Sequence, residues 1–299
     1  MGVRSRLYEG AADFQRMRRF LIAARSTAGH NAGYMHVGDL TWWMYQNTAF
    51  DPARNVRLWE ADDGELLGFA WFSPPAMLDV QIHPRWRGTG LIEEEMLDWA
   101  GEHRRDFFVN GESPRPLTVA ALKDDAGLQA ILEGRGYRRA SESFLVLMSD
   151  LSETQDRVDP GAISVRHVAG EDEFEERVSI HREVWNPSKV TMEAYRRLRG
   201  APGYVPELDL VAATPEGKFL AYCICWIDPA NGVGEFEPVG TREAARRQGL
   251  GQAVVREGQR RLRALGAQTA LVYSKVETLA FYESCGFRTA NQYVDYTKA

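Results

Sequence analysis

Hydrophobic periodicity runs through the same succession of elements twice along this chain. In the second half, alternation predicts a short strand over Ile163 to Val168, followed by helices over Asp172 to Val184 and Thr191 to Arg199 that are divided by the breaker Asn186-Pro187. Strands are expected at Leu208 to Ala213 and Lys218 to Ile227, around the turn Pro215-Glu216-Gly217, and again at Val233 to Thr241. A glycine-containing loop then opens a helix over Gly251 to Leu265, with Val254, Val255, Leu262 and Leu265 apolar among Arg and Glu. A strand at Thr269 to Tyr273, a helix at Thr278 to Ser284 and a strand around Gln292 to Thr297 complete the set.

The first half reads alike. Helices over Ala11 to Ala24 and near Leu40 to Gln46 precede strands at Arg57 to Glu60, Leu66 to Phe72 and Met77 to Ile82. A loop from His83 to Gly90 leads into a helix over Leu91 to Arg104, then a strand at Leu117 to Ala121, a helix to Glu133 and a strand through Ser143 to Met148. Repetition at domain-sized spacing predicts a duplicated α/β unit. The polar stretch ending in Pro160-Gly161 reads as linker, so the expected division is 1–151, a linker at 152–161, and 162–299.

Composition narrows the function classes. A net charge of -6 argues against broad nucleic-acid binding, which needs a basic face. The first residues lack a leader-like apolar stretch, and no run approaches the roughly 20 apolar residues of a spanning helix; a cytoplasmic protein without a membrane partner is expected. Three cysteines, Cys223, Cys225 and Cys285, make a poor disulfide framework and no metal set, so they are read as core.

The most informative segment is Pro238 to Ala253. A strand ends, a basic loop follows, and Gly249 and Gly251 open an amphipathic helix. Free N–H groups at a helix start attract anions, and glycine admits a phosphate to close range. Arg242, Arg246 and Arg247 are placed to add charge-assisted contacts. The Walker pattern is absent, and the dinucleotide pattern fails at Val254.

Arg246-x-x-Gly249-x-Gly251 after Pro238-Val239-Gly240-Thr241 resembles the acetyl-CoA pyrophosphate loop of the GNAT acetyltransferase superfamily. Ala280-Phe281-Tyr282 through Gly286-Phe287 is similar to that family's helix–turn–strand. The resemblance implies two tandem domains, each a central mixed, mostly antiparallel sheet flanked by helices (α/β class). It implies that the backbone of Val239, Gly240 and Thr241 meets the pantetheine arm, and that Arg246, Arg247, Gln248, Gly249, Leu250, Gly251 and Gln252 wrap the diphosphate of acetyl-CoA. One family position departs: an Asn that often binds the pantetheine arm is Lys275 here.

Acetyl transfer to an amine requires a proton for the departing thiolate and a base for the nucleophile. Tyr282, a phenol protonated at neutral pH, is the expected acid, and the resemblance puts the same residue there. Glu235 and Glu237 lie on the strand preceding the loop, and either can serve as base; two apart, they share a face if that strand is regular. His167, His181, Trp185, Tyr204 and Trp226 are further aromatic candidates around the acceptor. In the first half, the loop Val80 to Ile92 is a worn copy: Ile92 replaces the last glycine, and Leu132 stands where the tyrosine would be. That half either binds CoA through Arg87 to Leu91 or only shapes the substrate cleft. The expectation is an acetyl-CoA-dependent N-acetyltransferase for a small amine, monomeric or homodimeric, without a metal. Two alternatives stay open: a mycothiol-synthase-like acetyltransferase, which also pairs a worn with a working domain, and a noncatalytic acyl-CoA sensor.

Overall fold

A computed structural model of the chain describes residues 2–29, 33–107, 115–152 and 161–299; of the expected linker, residues 153–160 lie outside the described residues. In chain order the elements are β1 (Val3–Leu7), α1 (Ala11–Ala28), α2 (Val37–Tyr45), α3 (Pro52–Asn55), β2 (Val56–Ala61), β3 (Leu66–Ser73), β4 (Met77–Ile82), α4 (Glu93–His103), β5 (Leu117–Leu122), α5 (Ala126–Gly134) and β6 (Arg138–Asp150). Then come β7 (Ser164–His167), α6 (Phe174–Val184), α7 (Met192–Arg199), β8 (Asp209–Ala213), β9 (Phe219–Asp228), β10 (Val233–Thr241), α8 (Leu250–Ala264), β11 (Thr269–Ser274), α9 (Leu279–Ser284) and β12 (Arg288–Lys298).

These elements gather into two compact units that do not follow chain order. Unit 1 holds Met1–Met35, Asp51–Val146 and Ala290–Ala299, and unit 2 holds His36–Phe50 and Leu147–Thr289. Helix α2, encoded among the elements of unit 1, therefore packs in unit 2, while nearly all of the last strand belongs to unit 1.

In unit 1 the strand order is β1-β2-β3-β4-β5-β12. Neighbours are antiparallel except the parallel pair β4–β5. The run Leu66–Ser73 is buried along most of its length because helices cover both faces. Phe20 of α1 meets Phe69 edge-on at 5.7 Å, and Met96, Leu97 and Ala100 of α4 join Leu67, Ala70 and Phe72 in one cluster. Strand β1 escaped the periodicity reading because its charges are paired rather than solvated. The Arg6 guanidinium lies 3.1 Å from buried Glu60 and 2.6 Å from Asp13.

Unit 2 has the order β11-β10-β9-β8-β7, antiparallel except for β10–β11. Helices α6 and α7 place Phe174, Val178, Tyr195 and Leu198 against Val211, Phe219, Tyr222, Ile224 and Trp226 of the sheet, and Trp42 of α2 joins the same cluster. Helix α8 closes the unit with Val254, Val255 and Leu262 inward. It approaches so closely at Gly258 that a Cβ there would stand 2.5 Å from the Phe236 ring and 2.6 Å from the Cys225 sulfur. The three cysteines are buried and unbridged, with Cys223 and Cys225 sulfurs 3.8 Å apart on one face of β9. Among the described residues no helix is long and apolar enough to cross a membrane.

Candidate active site

The site forms where strand pairing in unit 2 fails. Strands β10 and β11 pair in parallel only from Val233↔Thr269 to Glu235↔Leu271, although β10 runs on to Thr241 and β11 to Ser274. On its other edge, β10 keeps register with β9 up to Phe236↔Cys225 and resumes at Val239↔Cys223. The interruption falls at Glu237-Pro238, where the indole N–H of Trp226 donates to the Glu237 carbonyl oxygen at 2.6 Å. The backbone of Val239 to Thr241 is thus free of a β11 partner on one edge, which suits pairing with an extended amide-bearing ligand arm.

The interrupted strand gives its two glutamates different surroundings. Glu235 is wholly buried. Its Oε2 accepts the Asp39 backbone N–H at 2.8 Å and lies 2.9 Å from Nδ1 of His36, whose Nε2 is 3.3 Å from the Val233 carbonyl oxygen. His36 caps α2, with Nδ1 also 3.0 Å from the Gly38 nitrogen. Glu235 therefore anchors the start of α2. Glu237 is only partly buried; its surroundings push its carboxyl well above the usual carboxylate range, chiefly by desolvation, and the charges of Asp39 and Glu235 add to this. Sequence reasoning missed His36 and Asp39. No local signal marks them, because their shared partner lies 199 and 196 residues away.

Tyr282 sits on α9, buried and positioned by a chain of rings: Phe236 of β10 meets Phe287 at 5.8 Å, and Phe287 meets Tyr282 at 5.7 Å. Burial pushes its phenol far above 10, and the nearby Glu237 charge pushes it further. Its hydroxyl makes no hydrogen bond within the described residues. Tyr222, the neighbouring phenol, is committed, with its hydroxyl 2.7 Å from Nδ1 of His181. Desolvation lowers His181 to about 3, so that ring is neutral. Of the other aromatic candidates, Trp226 is buried, Tyr204 and His167 are partly buried, and Trp185 is exposed.

The basic loop follows β10. Gly249 precedes α8 in the left-handed region (φ 77°), and Arg247 adopts φ 66°, the only non-glycine with positive φ among the described residues. Arg246, Arg247 and Gln248 are exposed, and no acid occupies the first turn of α8, so the amides and helix dipole there meet positive charge only. Gly251 leaves a short approach, since a Cβ there would lie 3.0 Å from Thr241 Oγ1 and 3.1 Å from the Phe281 ring. The Gln252 amide donates to Ser284 Oγ at 2.6 Å. Arg242 corrects the expectation of a third loop charge. It is buried, donating to the Phe219 carbonyl at 2.7 Å, to Glu176 at 2.9 Å and to Glu183, so its charge is already matched. Lys275 is exposed just past β11.

A left-handed arginine carries backbone strain of about 1 kcal/mol that glycine does not. Arg247→Gly is expected to hold or raise the melting temperature by a few degrees, the strain relief offsetting glycine's larger unfolded-state entropy. A fall of several degrees in a thermal melt would show that the Arg247 side chain contributes more than its backbone costs.

The acetyltransferase (GNAT) family model matches residues 171–287, the stretch that runs from α6 through the loop to Tyr282. A mycothiol acetyltransferase of Saccharomonospora viridis is 26% identical over 267 residues, 80% of this chain and 81% of that protein. Among solved structures, a GCN5-related N-acetyltransferase from Sphaerobacter thermophilus superposes with TM-score 0.66 at 21% identity, covering 99% of this chain and 95% of that one. A tandem GNAT protein from the clavulanic acid biosynthesis pathway gives 0.69 at 15% identity, covering 99% and 98%. Residues 171–287 thus carry a GNAT acetyltransferase domain, and the chain as a whole has the fold of the tandem GNAT structures. Use of an acyl-CoA comes with that domain.

Proposed function

We propose that the chain transfers an acetyl group from acetyl-CoA to the amine of a small acceptor, with Tyr282 as acid and Glu237 as base. The observation that carries this reading is that Glu237, on the part of β10 that has left β11, is near enough to Tyr282 for its charge to raise the phenol. The exposed arginines and free amides at the start of α8 fit a diphosphate, and the unpaired edge of Val239 to Thr241 fits the pantetheine arm. Of the two glutamates, Glu237 is favoured because Glu235 is engaged by His36 and Asp39.

The residues divide the chemistry as follows. The carboxylate of Glu237 accepts a proton from the ammonium or attacking amine, and the nitrogen forms its bond to the thioester carbonyl carbon. As the carbon–sulfur bond breaks, Tyr282 gives its proton to the leaving sulfur; proton exchange with solvent then restores both side chains. Glu237 also helps in a second way. Its negative charge raises the Tyr282 phenol, so neutralising that charge by the amine proton makes the phenol a better acid when the sulfur needs one. A buried phenol that is protonated at every physiological pH is in the form this role requires.

Similarity to a mycothiol acetyltransferase, at 26% identity over 80% of this chain and 81% of that protein, favours a narrower second reading, in which the acceptor is that of mycothiol acetyltransferase. A screen of small amines with acetyl-CoA, read by released thiol, tests both. The broad reading expects acceptor-dependent thiol release with at least one amine. Thiol release that no amine accelerates would sink it, and turnover of simple amines in preference to the mycothiol precursor would sink the narrower one.

A further inference from the structure

We propose that the loop of unit 1 is closed by its own glutamate, so that each chain takes acyl-CoA at one site only, in unit 2; this rests on reading the α8 loop as the diphosphate site. The two loops place left-handed residues at corresponding positions. Arg87-Gly88-Thr89-Gly90-Leu91-Ile92 follows β4 as Arg246-Arg247-Gln248-Gly249-Leu250-Gly251 follows β10. Gly88 and Gly90 sit at φ 78° and 82°, while Arg247 and Gly249 sit at 66° and 77°. Strands β4 and β5 also part early, pairing only at Met77↔Thr118 and Leu78↔Val119. Unit 1 has thus kept the cradle, and the difference lies in what fills it.

In unit 1 the cradle holds a carboxylate. The Gly88 N–H donates to Glu93 Oε1 at 2.6 Å, and Glu93 is 1% exposed. The corresponding residue of unit 2, Gln252, turns instead to Ser284. Arg87, the one arginine positioned as Arg246 is, has its Nε and Nη2 on Asp125 at 2.9 and 2.7 Å, with its guanidinium 5.0 Å from the Tyr34 ring centre. Its charge is already matched. Glu93, Glu94 and Glu95 fill the first turn of α4, where α8 has no acid. A diphosphate would have to displace a buried carboxylate while facing two more, with no unmatched arginine in the loop's Arg87 position to receive it. Ile92, fully buried, takes the place of Gly251, and the loop is seated on α5, where a Cβ on Gly127 would be 3.0 Å from the Gly88 Cα.

Titration calorimetry of the full chain with acetyl-CoA tests this, alongside an Arg246→Glu/Arg247→Glu variant, in which both altered residues are exposed in the native protein. One mole bound per chain in the parent and none in the variant is the expected pair of results. Two moles in the parent, or one retained in the variant, overturns the closed loop but leaves acetyl-CoA as the ligand. No binding by the parent overturns the diphosphate reading and this inference with it. Hydrogen exchange on the parent gives an answer independent of the variant. Acetyl-CoA should slow exchange across residues 246–252 by tenfold or more and leave residues 87–93 unchanged; slowing at 87–93 overturns the proposal.

Discussion

Tyr282→Phe is expected to lower kcat by about 10²-fold, the usual contribution of a positioned general acid, while the dissociation constant for acetyl-CoA stays within about twofold of the parent value. The ring stays and only the hydroxyl goes. Packing against Phe281 and Phe287 is therefore preserved, and the loop at Arg246 to Gly251 is untouched. Because the hydroxyl makes no hydrogen bond within the described residues, its removal breaks no fold contact, and the melting temperature should hold. A merely structural tyrosine would show the reverse pattern. Steady-state kinetics and titration calorimetry on one preparation decide the matter: turnover at the parent rate removes Tyr282 from the chemistry. Tyr222→Phe provides the control. Its hydroxyl is bonded to His181, so its loss should cost stability more than kcat.

What the residues alone disclosed follows from how local each feature is. The succession β9, β10, loop, α8 and the placement of Tyr282 are written in periodicity, glycine spacing and a short motif, all within a few turns of chain. Arg247 in a left-handed conformation follows the pattern by which the first half puts Gly88 at the same place, but nothing nearby says that an arginine would accept it. Longer-range facts were hidden. Glu235 and Glu237 read as neighbours on one face because strands alternate regularly; the break in β9 pairing at Glu237-Pro238 separates their surroundings, and only the packing of α2 shows that His36 takes one of them. Arg242 reads as one more loop cation, yet Glu176 and Glu183 of α6 compete for it successfully. Strand β1, rich in arginine, reads as coil until Asp13 and Glu60 supply its partners. Glu235, Arg242 and Arg6 each have a partner 54 or more residues away along the chain.

Glu237→Gln should lower kcat/KM by about 10²-fold and abolish the acid limb of the pH–rate profile. The base works deprotonated, so activity in the parent falls as pH drops through the raised Glu237 value. Asp39→Asn moves that limb without removing it. The groups whose charges couple to Glu237 are Asp39 of α2, Glu235 of its own strand, Tyr222 of β9 and Tyr282 of α9; Asp39 is the larger of the two charges that add to desolvation. Neutralising Asp39 makes the carboxylate easier to ionise, so the acid limb shifts to lower pH at a nearly unchanged plateau. A limb that stays put, or that moves to higher pH, excludes Glu237 as the group seen in the profile. Stability provides a second sign. A carboxyl whose folded value lies above its unfolded one contributes stability at pH below the unfolded value, and that contribution is lost as pH rises through the folded value. At pH above the raised Glu237 value the ionised carboxylate is therefore a burden on the fold, while well below it the protonated carboxyl is not. Glu237→Gln should gain on the parent in melting temperature as pH rises through the acid limb and stay close to it below the limb, so that the same substitution gains stability where it loses catalysis. Equal melting curves above and below the limb would mean that the carboxyl is solvated, and a solvated glutamate would lack the raised value that assigns it to the limb.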